Sequence, residues 1–304
     1  MKHPPNTVLA LDLGSRTLLW VEASRKDDQI VWGDSDAVTL ELGRLLAEPA
    51  AGDKIFPPAL AAITTLGRDF SGKVDTIVGV FTGALRELPD VVEKLIAAGQ
   101  AAGMELRVIT AEEEGGLAWL GAADLFPNST GAVLDLGGHS AQLVIGRQGK
   151  ITVLGSLPIG CQTLTYRFFH HDPPARSEIT RLQTYLDEML VGSGWQLGAD
   201  QPLAIAGGTA AAWASLVAGA ATYRPNLIHD LALTRAHGEK LISSMSGLTQ
   251  ATVAALLKSD PTRAGVFLAG LIAIVAVLRH LRREQAIHTT RSVRHGLASK
   301  TLGI

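Results

Sequence analysis

The sequence predicts an α/β protein built from two similar halves, with a ligand cleft between them. Three observations carry this. Residues 11–21 read Leu-Asp-Leu-Gly-Ser-Arg-Thr-Leu-Leu-Trp-Val, and residues 134–144 read Leu-Asp-Leu-Gly-Gly-His-Ser-Ala-Gln-Leu-Val. In each, an apolar run ends in an Asp, a glycine turn follows, and a second apolar run returns, which is the signature of two strands joined by a tight turn. Both copies are followed by alternating strand-like and helix-like segments, the pattern of a layered α/β fold. Such turns present backbone N–H groups suited to phosphate oxygens. Asp12 and Asp135, about 120 residues apart, are predicted to face one space where a divalent cation could sit.

The first hairpin is expected at Val8–Leu13 and Leu18–Ala23, with a third strand at Gln29–Gly33. Leu40–Ala47 reads as helical, Pro49–Pro58 as a Pro/Ala/Gly-rich loop, and Ala59–Phe70 as a helix. Thr76–Thr82 has the composition of a buried strand. Asp90 is a candidate N-cap for a helix over Val91–Ala102, ended by Gly103. Leu106–Ile109 is a strand, and Ala111–Ala123 a helix opening on Glu112-Glu113-Glu114, acids that suit a helix N-terminus. Pro127-Asn128-Ser129 marks a break between domains 1–126 and 127–304. The second half repeats the order, with strands at Ala132–Asp135, Ala141–Gly146 and Ile151–Pro158. A helix at Ser177–Leu190 and a strand at Leu203–Ala206 follow. Gly207-Gly208-Thr209 then opens the helix Ala210–Ala220, aiming N–H groups at an anion. Further helices are expected around 231–245, 249–256 and 262–283, then a strand at Ala286–Thr289. The terminal helix, Val293–Leu302 within about 290–304, is expected to pack back on the first domain.

Composition narrows the function classes. The 304 residues are 47% hydrophobic and 18% charged, which excludes a disordered chain. A net charge of −2 argues against a dedicated nucleic-acid binder. A single cysteine, Cys161, excludes an internal disulfide and predicts a cytoplasmic setting. Met1–Asn6 leads into a strand and lacks the pattern of a signal peptide. The longest apolar run, Ala264–Leu278, falls short of the roughly 20 residues a bilayer needs, so it is read as a buried helix and no membrane partner is expected. His170-His171 has no third metal ligand at useful spacing. Arg279, Arg282 and Arg283 either complement a helix dipole or meet a polyanion.

The ordered set Asp12-Leu13-Gly14-Ser15, Gly83-Ala84-Leu85-Arg86, Ala111-Glu112-Glu113-Glu114-Gly115, Asp135-Leu136-Gly137-Gly138 and Leu157-Pro158-Ile159-Gly160 resembles the exopolyphosphatase / guanosine pentaphosphate phosphohydrolase (Ppx/GppA) family. Gly207-Gly208-Thr209 and Arg294-His295-Gly296-Leu297 continue the resemblance, which runs from about residue 7 to residue 304. It implies two ribonuclease H-like (actin-like) domains that hold a phosphate chain in the cleft between them. It also implies hydrolysis of the terminal phosphate with Mg²⁺, and a homodimer. The substrate implied is inorganic polyphosphate or a phosphorylated guanosine nucleotide. Glu114 matches the glutamate that activates water, and Arg86 the arginine that binds substrate phosphate. Asp12 and Asp135 match the acids near the metal. Gly14, Ser15, Arg16, Gly137, Gly138, His139, Ser140, Gly207, Gly208 and Thr209 fall on the phosphate-cradling loops.

The second loop departs from the family's Asp-x-Gly-Gly-Gly-Ser-Thr-Glu. Gln142 stands where a glutamate belongs to the metal and the water; its amide offers an oxygen but neither charge nor basicity. His139 replaces a glycine, at a cost of about 1–2 kcal/mol if that position needs a positive φ. Ala141 removes a hydroxyl. Arg16 and Asp90 replace asparagines, Gly116 an arginine, and Gly265 an acid. A catalytically weakened phosphate-binding regulatory protein on the same fold is therefore the alternative expectation.

Overall fold

The computed structural model describes residues 4–46, 48–126, 128, 130–147, 150–199 and 201–304, with backbone alone at 153 and 154. The chain forms two compact units: Met1–Gly121 with Arg291–Ile304, and Ala122–Thr290. Of the break expected at Pro127-Asn128-Ser129, Pro127 and Ser129 lie outside the described residues.

In the first unit, β1 (Thr7–Leu13), β2 (Thr17–Lys26) and β3 (Gln29–Thr39) form an antiparallel meander. α1 (Gly52–Phe70) leads to β4 (Thr76–Phe81), and α2 (Pro89–Ala101) to β5 (Glu105–Val108). The sheet order is β3-β2-β1-β4-β5, with β4 parallel to β1 and β5 parallel to β4. Period-2 alternation in β1 supplies both faces. Leu9, Leu11 and Leu13 pack with Ile55, Ile63, Val92 and Leu95 of α1 and α2, while Val8 and Ala10 face the other side. That side is covered by α3 (Ala111–Gly121) and by the terminal helix, residues 293–302, through Leu117, Ala118, Leu297 and Leu302.

Two local expectations need correction. The Pro49–Pro58 loop is largely helix: α1 begins at Gly52 and runs through Pro57 and Pro58. The buried stripe Ile55, Ala59, Ile63 and Leu66 continues across the prolines, and its packing overrides local propensity. Asp90 does not cap α2, which starts one residue earlier at Pro89; Asp90 lies in its first turn.

The second unit repeats the plan. β6 (Thr130–Leu136), β7 (Ala141–Arg147) and β8 (Lys150–Leu157) form the meander. α4 (Cys161–Phe168), α5 (Arg176–Ser193), β9 (Leu203–Ala206), α6 (Gly208–Val217) and α7 (Pro225–Ile228) follow. Then come β10 (Leu231–Thr234), α8 (Arg235–Met245), α9 (Gln250–Leu256), α10 (Ala264–His280) and β11 (Gln285–His288); α11 (Val293–Leu302) returns to the first unit. The sheet order β10-β11-β9-β6-β7-β8 reproduces the first sheet's order from β8 to β11 and adds β10 at the edge. The helix expected from 231 instead begins at 235. Residues 231–234 pair antiparallel with β11, and Thr234 caps α8 by accepting from the His237 N–H. The segment Pro261–His280 is apolar and long enough to cross a bilayer by composition. Here Val266–Leu278 is buried in the unit's core.

His170 and His171 belong to a loop clamp. Glu178, 2% exposed, accepts from the N–H groups of His170 and Ala175 and pairs with His171 Nδ1 at 2.9 Å. Burial pushes its carboxyl pKa up, but these bonds outweigh that and hold it down to about 2. At the ends of the unit, His229 Nε2 lies 3.1 Å from Asp124, and its Nδ1 accepts from the Thr290 N–H at 3.2 Å.

Candidate active site

The first glycine turn sits at the carboxyl end of β1, where α/β sheets gather functional groups. The Gly14 N–H closes its own hairpin on Thr17 O at 3.0 Å, so it is not available to a phosphate. Ser15 is 6% exposed, and its Oγ accepts from the Ala84 N–H at 3.0 Å. Arg16 is equally buried, and its carbonyl accepts from Leu40 and Glu41. Asp12 Oδ1 accepts from Thr82 Oγ1 at 3.0 Å.

The three acids opening α3 separate. Glu112 is exposed. Glu113 pairs with Arg107 and with Lys300 at 3.8 Å; the Arg107 hydrogen bond holds its pKa below the usual carboxylate value. Glu114 turns inward, 8% exposed, and accepts from Arg86 Nη1 at 2.8 Å and from the Gly83 N–H at 3.4 Å. Arg86 also donates to Ile109 O at 3.2 Å. Asp12 is thus tied to Thr82, and Ser15 and Glu114 to the short turn that follows, Gly83–Glu87, which carries Arg86 and whose first residue has φ +59°.

In the second unit, the Gly137 N–H likewise closes its hairpin, on Ser140 O at 2.9 Å. The turn is held from below by the start of α4. The N–H groups of Cys161 and Gln162 donate to Gly137 O and Gly138 O at 3.0 and 2.8 Å. Thr163 Oγ1 donates to His139 O at 3.0 Å and lies 3.1 Å from His139 Nδ1. Gly160 is obligatory, because a Cβ there would lie 2.3 Å from the His139 carbonyl carbon. Left-handed backbone among the described non-glycine residues occurs at Asp27, Asp28, Glu41, Asp230 and Arg282. His139 therefore stands without the backbone strain expected of it.

Asp135 and Gln142 are register partners across β6 and β7. Gln142 is 2% exposed, and its Nε2 donates to Ser140 Oγ at 2.9 Å and Ser156 Oγ at 3.2 Å. Gly207 has φ +107°, and a Cβ there would lie 2.1 Å from Leu136 O, so only glycine fits beside the end of β6. Thr209, two residues further on, lies inside α6. It is 1% exposed, its Oγ1 has no hydrogen-bond partner, and a Cβ on Gly270 of α10 would approach that oxygen to 2.5 Å. It packs against the core helix.

Two residues escaped the sequence reading. Thr82 lies just past β4 as an ordinary strand-end residue, and no local signal marks its bond to Asp12. Arg263 precedes α10 and reads as a helix-flanking charge. Its guanidinium occupies the space a Cβ on Gly208 would fill, at 1.8 Å from Cζ, and its Nε pairs with Asp260 at 2.8 Å. A cation is thereby built into the start of α6, where the helix N-terminus already favours an anion. Of the basic cluster, Arg283 donates to the carbonyls of Gly198 and Ala199, Arg279 lies 3.8 Å from Glu239, and Arg282 is exposed.

No group of three or more His, Cys, Asp or Glu gathers among the described residues to cage a metal. A Mg²⁺ ion is usually held by one or two carboxylates, with phosphate oxygens and water completing its shell, and needs no such cage. In the first unit Asp12, braced by Thr82, is a carboxylate at a glycine turn, and in the second unit Asp135 is.

Two duplicated β-meander sheets with glycine turns at their strand ends define a two-domain α/β protein of the actin-like fold. Within that class, the chain belongs to the Ppx/GppA phosphatase family, whose model matches residues 59–303. It is 29% identical to Exopolyphosphatase 1 of Mycobacterium leprae (strain TN) over 304 residues, 96% of this chain and 88% of that protein. It is 32% identical to Exopolyphosphatase 2 of Mycobacterium tuberculosis (strain CDC 1551 / Oshkosh) over 197 residues, 61% of this chain and 59% of that protein's length. The crystal structure of the Aquifex aeolicus Ppx/GppA family member covers 99% of both chains at 26% identity, with a TM-score of 0.82. An exopolyphosphatase from Cytophaga hutchinsonii ATCC 33406 shares the fold, with a TM-score of 0.83 at 19% identity over 98% of both chains.

Proposed function

We propose that this protein is a Mg²⁺-dependent phosphohydrolase that releases the terminal phosphate of inorganic polyphosphate or guanosine pentaphosphate. The observation that carries the reading is the Arg86–Glu114 pair, 2.8 Å apart, with the side chains 25% and 11% exposed. An arginine suits bidentate contact with phosphate oxygens. A phosphate that engages Arg86 competes with Glu114 for its N–H groups, leaving the carboxylate to accept a proton from the attacking water. The Gly83 N–H keeps Glu114 oriented during that exchange. Mg²⁺, when bound with substrate, supplies positive charge to the phosphate oxygens. Asp12 in the first unit and Asp135 in the second are each proposed as a carboxylate ligand for it, and the α6 N-terminus of the second unit as a contact for phosphate oxygens. Arg263 would add a cationic contact beside Gly208. The same reading assigns the protein to the cytosol, and the family resemblance adds a homodimer as the assembly to test.

The test is phosphate release with Mg²⁺ from long-chain polyphosphate and from guanosine pentaphosphate in parallel. Release by the wild type that Glu114→Ala lowers by about 10²–10⁴-fold supports the reading. No release by either the wild type or Gln142→Glu refutes it. A second reading, a phosphate- or nucleotide-binding regulatory protein, is favoured by Gln142, whose amide cannot act as a base. It predicts tight ligand binding without turnover in the wild type, and turnover appearing in Gln142→Glu.

A further inference from the structure

We propose that Thr82 is a positioning residue that sets the Asp12 carboxylate, and that the turn it begins keeps Asp12 and Glu114 in register. The proposal rests on the phosphohydrolase reading only for the use made of Asp12. The geometry is local to the first unit. Thr82 continues β4 beyond Phe81, and its N–H bonds Leu13 O at 3.0 Å, fixing it beside the end of β1. It is 4% exposed. Its hydroxyl carries one proton, and the shorter of its two acceptor contacts is Asp12 Oδ1 at 3.0 Å, against 3.4 Å to Leu13 O. The same hydroxyl lies 3.6 Å from the position of a Cβ on Gly14, so it also fills the inner side of the first glycine turn.

The next residues continue the pattern. Gly83, at φ +59°, turns the chain and donates to Glu114 Oε2, and a Cβ there would lie 2.9 Å from Ser15 Oγ. Ala84 N–H donates to Ser15 Oγ, and Arg86 donates to Glu114. The five residues Thr82–Arg86 therefore bond the first loop at Asp12 and Ser15, and α3 at Glu114. An unbraced carboxylate rotates about its terminal torsion, which is broad. A buried hydroxyl donor removes that freedom, as outer-shell partners do for metal-ligating carboxylates.

The experiment compares wild type, Thr82→Val, Thr82→Ala and Thr82→Ser. Mn²⁺ binding in the presence of inorganic phosphate is followed by electron paramagnetic resonance, with far-UV circular dichroism as the check on folding. Thr82→Val keeps the β-branched shape and removes the proton; Thr82→Ala takes its place if the valine variant does not fold. The expected result is a loss of Mn²⁺ affinity of about 10–100-fold in the folded hydroxyl-free variant, restored by Thr82→Ser to near the wild type. Unchanged affinity in a folded hydroxyl-free variant overturns the proposal, as does failure of Thr82→Ser to restore it, or a wild type that binds no Mn²⁺. Phosphate release from polyphosphate is measured separately. A wild type that binds Mn²⁺ without releasing phosphate refutes the hydrolase reading while leaving the role of Thr82 to be judged on Mn²⁺ binding alone.

Discussion

Replacing Gln142 with glutamate tests what the second loop has lost. Gln142 is 2% exposed and faces its register partner Asp135 from the adjacent strand. Cβ atoms of such partners stand about 5 Å apart, and two carboxylates at about that distance repel by about 3 kcal/mol at an effective dielectric of about 20. The hydroxyls of Ser140 and Ser156 now accept from the amide at 2.9 and 3.2 Å. Both can rotate to donate to a carboxylate instead, which recovers about 2 kcal/mol. Desolvating the new charge costs on the order of 1 kcal/mol or more. Gln142→Glu is therefore expected to be about 2 kcal/mol less stable than the wild type in EDTA. In a chain of this size that lowers the unfolding midpoint by about 3 °C. Mg²⁺ with inorganic phosphate relieves the repulsion and should return most of the difference, whereas the wild type responds less. Thermal unfolding with and without Mg²⁺ reads both effects. A variant that melts with the wild type in EDTA, or whose deficit Mg²⁺ leaves unchanged, would show that Asp135 and position 142 do not share a cation site.

Other perturbations address the supports of the fold and loops. Gly160→Ala places a methyl group 2.3 Å from the His139 carbonyl carbon and 2.5 Å from Gly138; a stability loss of about 1–3 kcal/mol is expected by urea unfolding, with weaker polyphosphate binding because the turn must shift. His288 is buried, which lowers its pKa to about 4 despite its hydrogen bond to Ile205 O, and His229 pushes in the same direction. The unfolded chain, with an ordinary histidine value near 6.5, takes up this proton first. Stability is therefore full above pH 6.5 and falls by about 3 kcal/mol toward pH 4; this part of the slope should vanish in His288→Leu, and its persistence there would assign the loss to other groups. His229→Ala removes the acceptor of the Thr290 N–H and the partner of Asp124, and about 1–3 kcal/mol of stability should go with it in urea unfolding; an unchanged midpoint would show that the ends of this unit hold without it.

Much of the architecture was legible in the sequence because its signals are local. Period-2 alternation and a glycine turn specify each β-turn-β unit from adjacent residues, and Leu203–Ala206 and Val293–Leu302 were read with their observed bounds. The family motifs single out Glu114, Arg86, Asp12, Asp135 and Gln142 as candidates in the same way. What the sequence could not supply is partnership across long separations. That Thr82 braces Asp12, that the start of α4 holds the second glycine turn, and that the Arg263 guanidinium fills the space above Gly208 depend on residues 24 to 70 positions apart. The same holds for the errors. Thr209 reads as part of a glycine loop until α6 and α10 enclose it, and Pro57 and Pro58 resemble a break until the Ile55–Leu66 stripe finds its core. Backbone turns and hydrophobic period are written in neighbouring residues. Which way a polar side chain faces is decided only when distant elements compete to bury it.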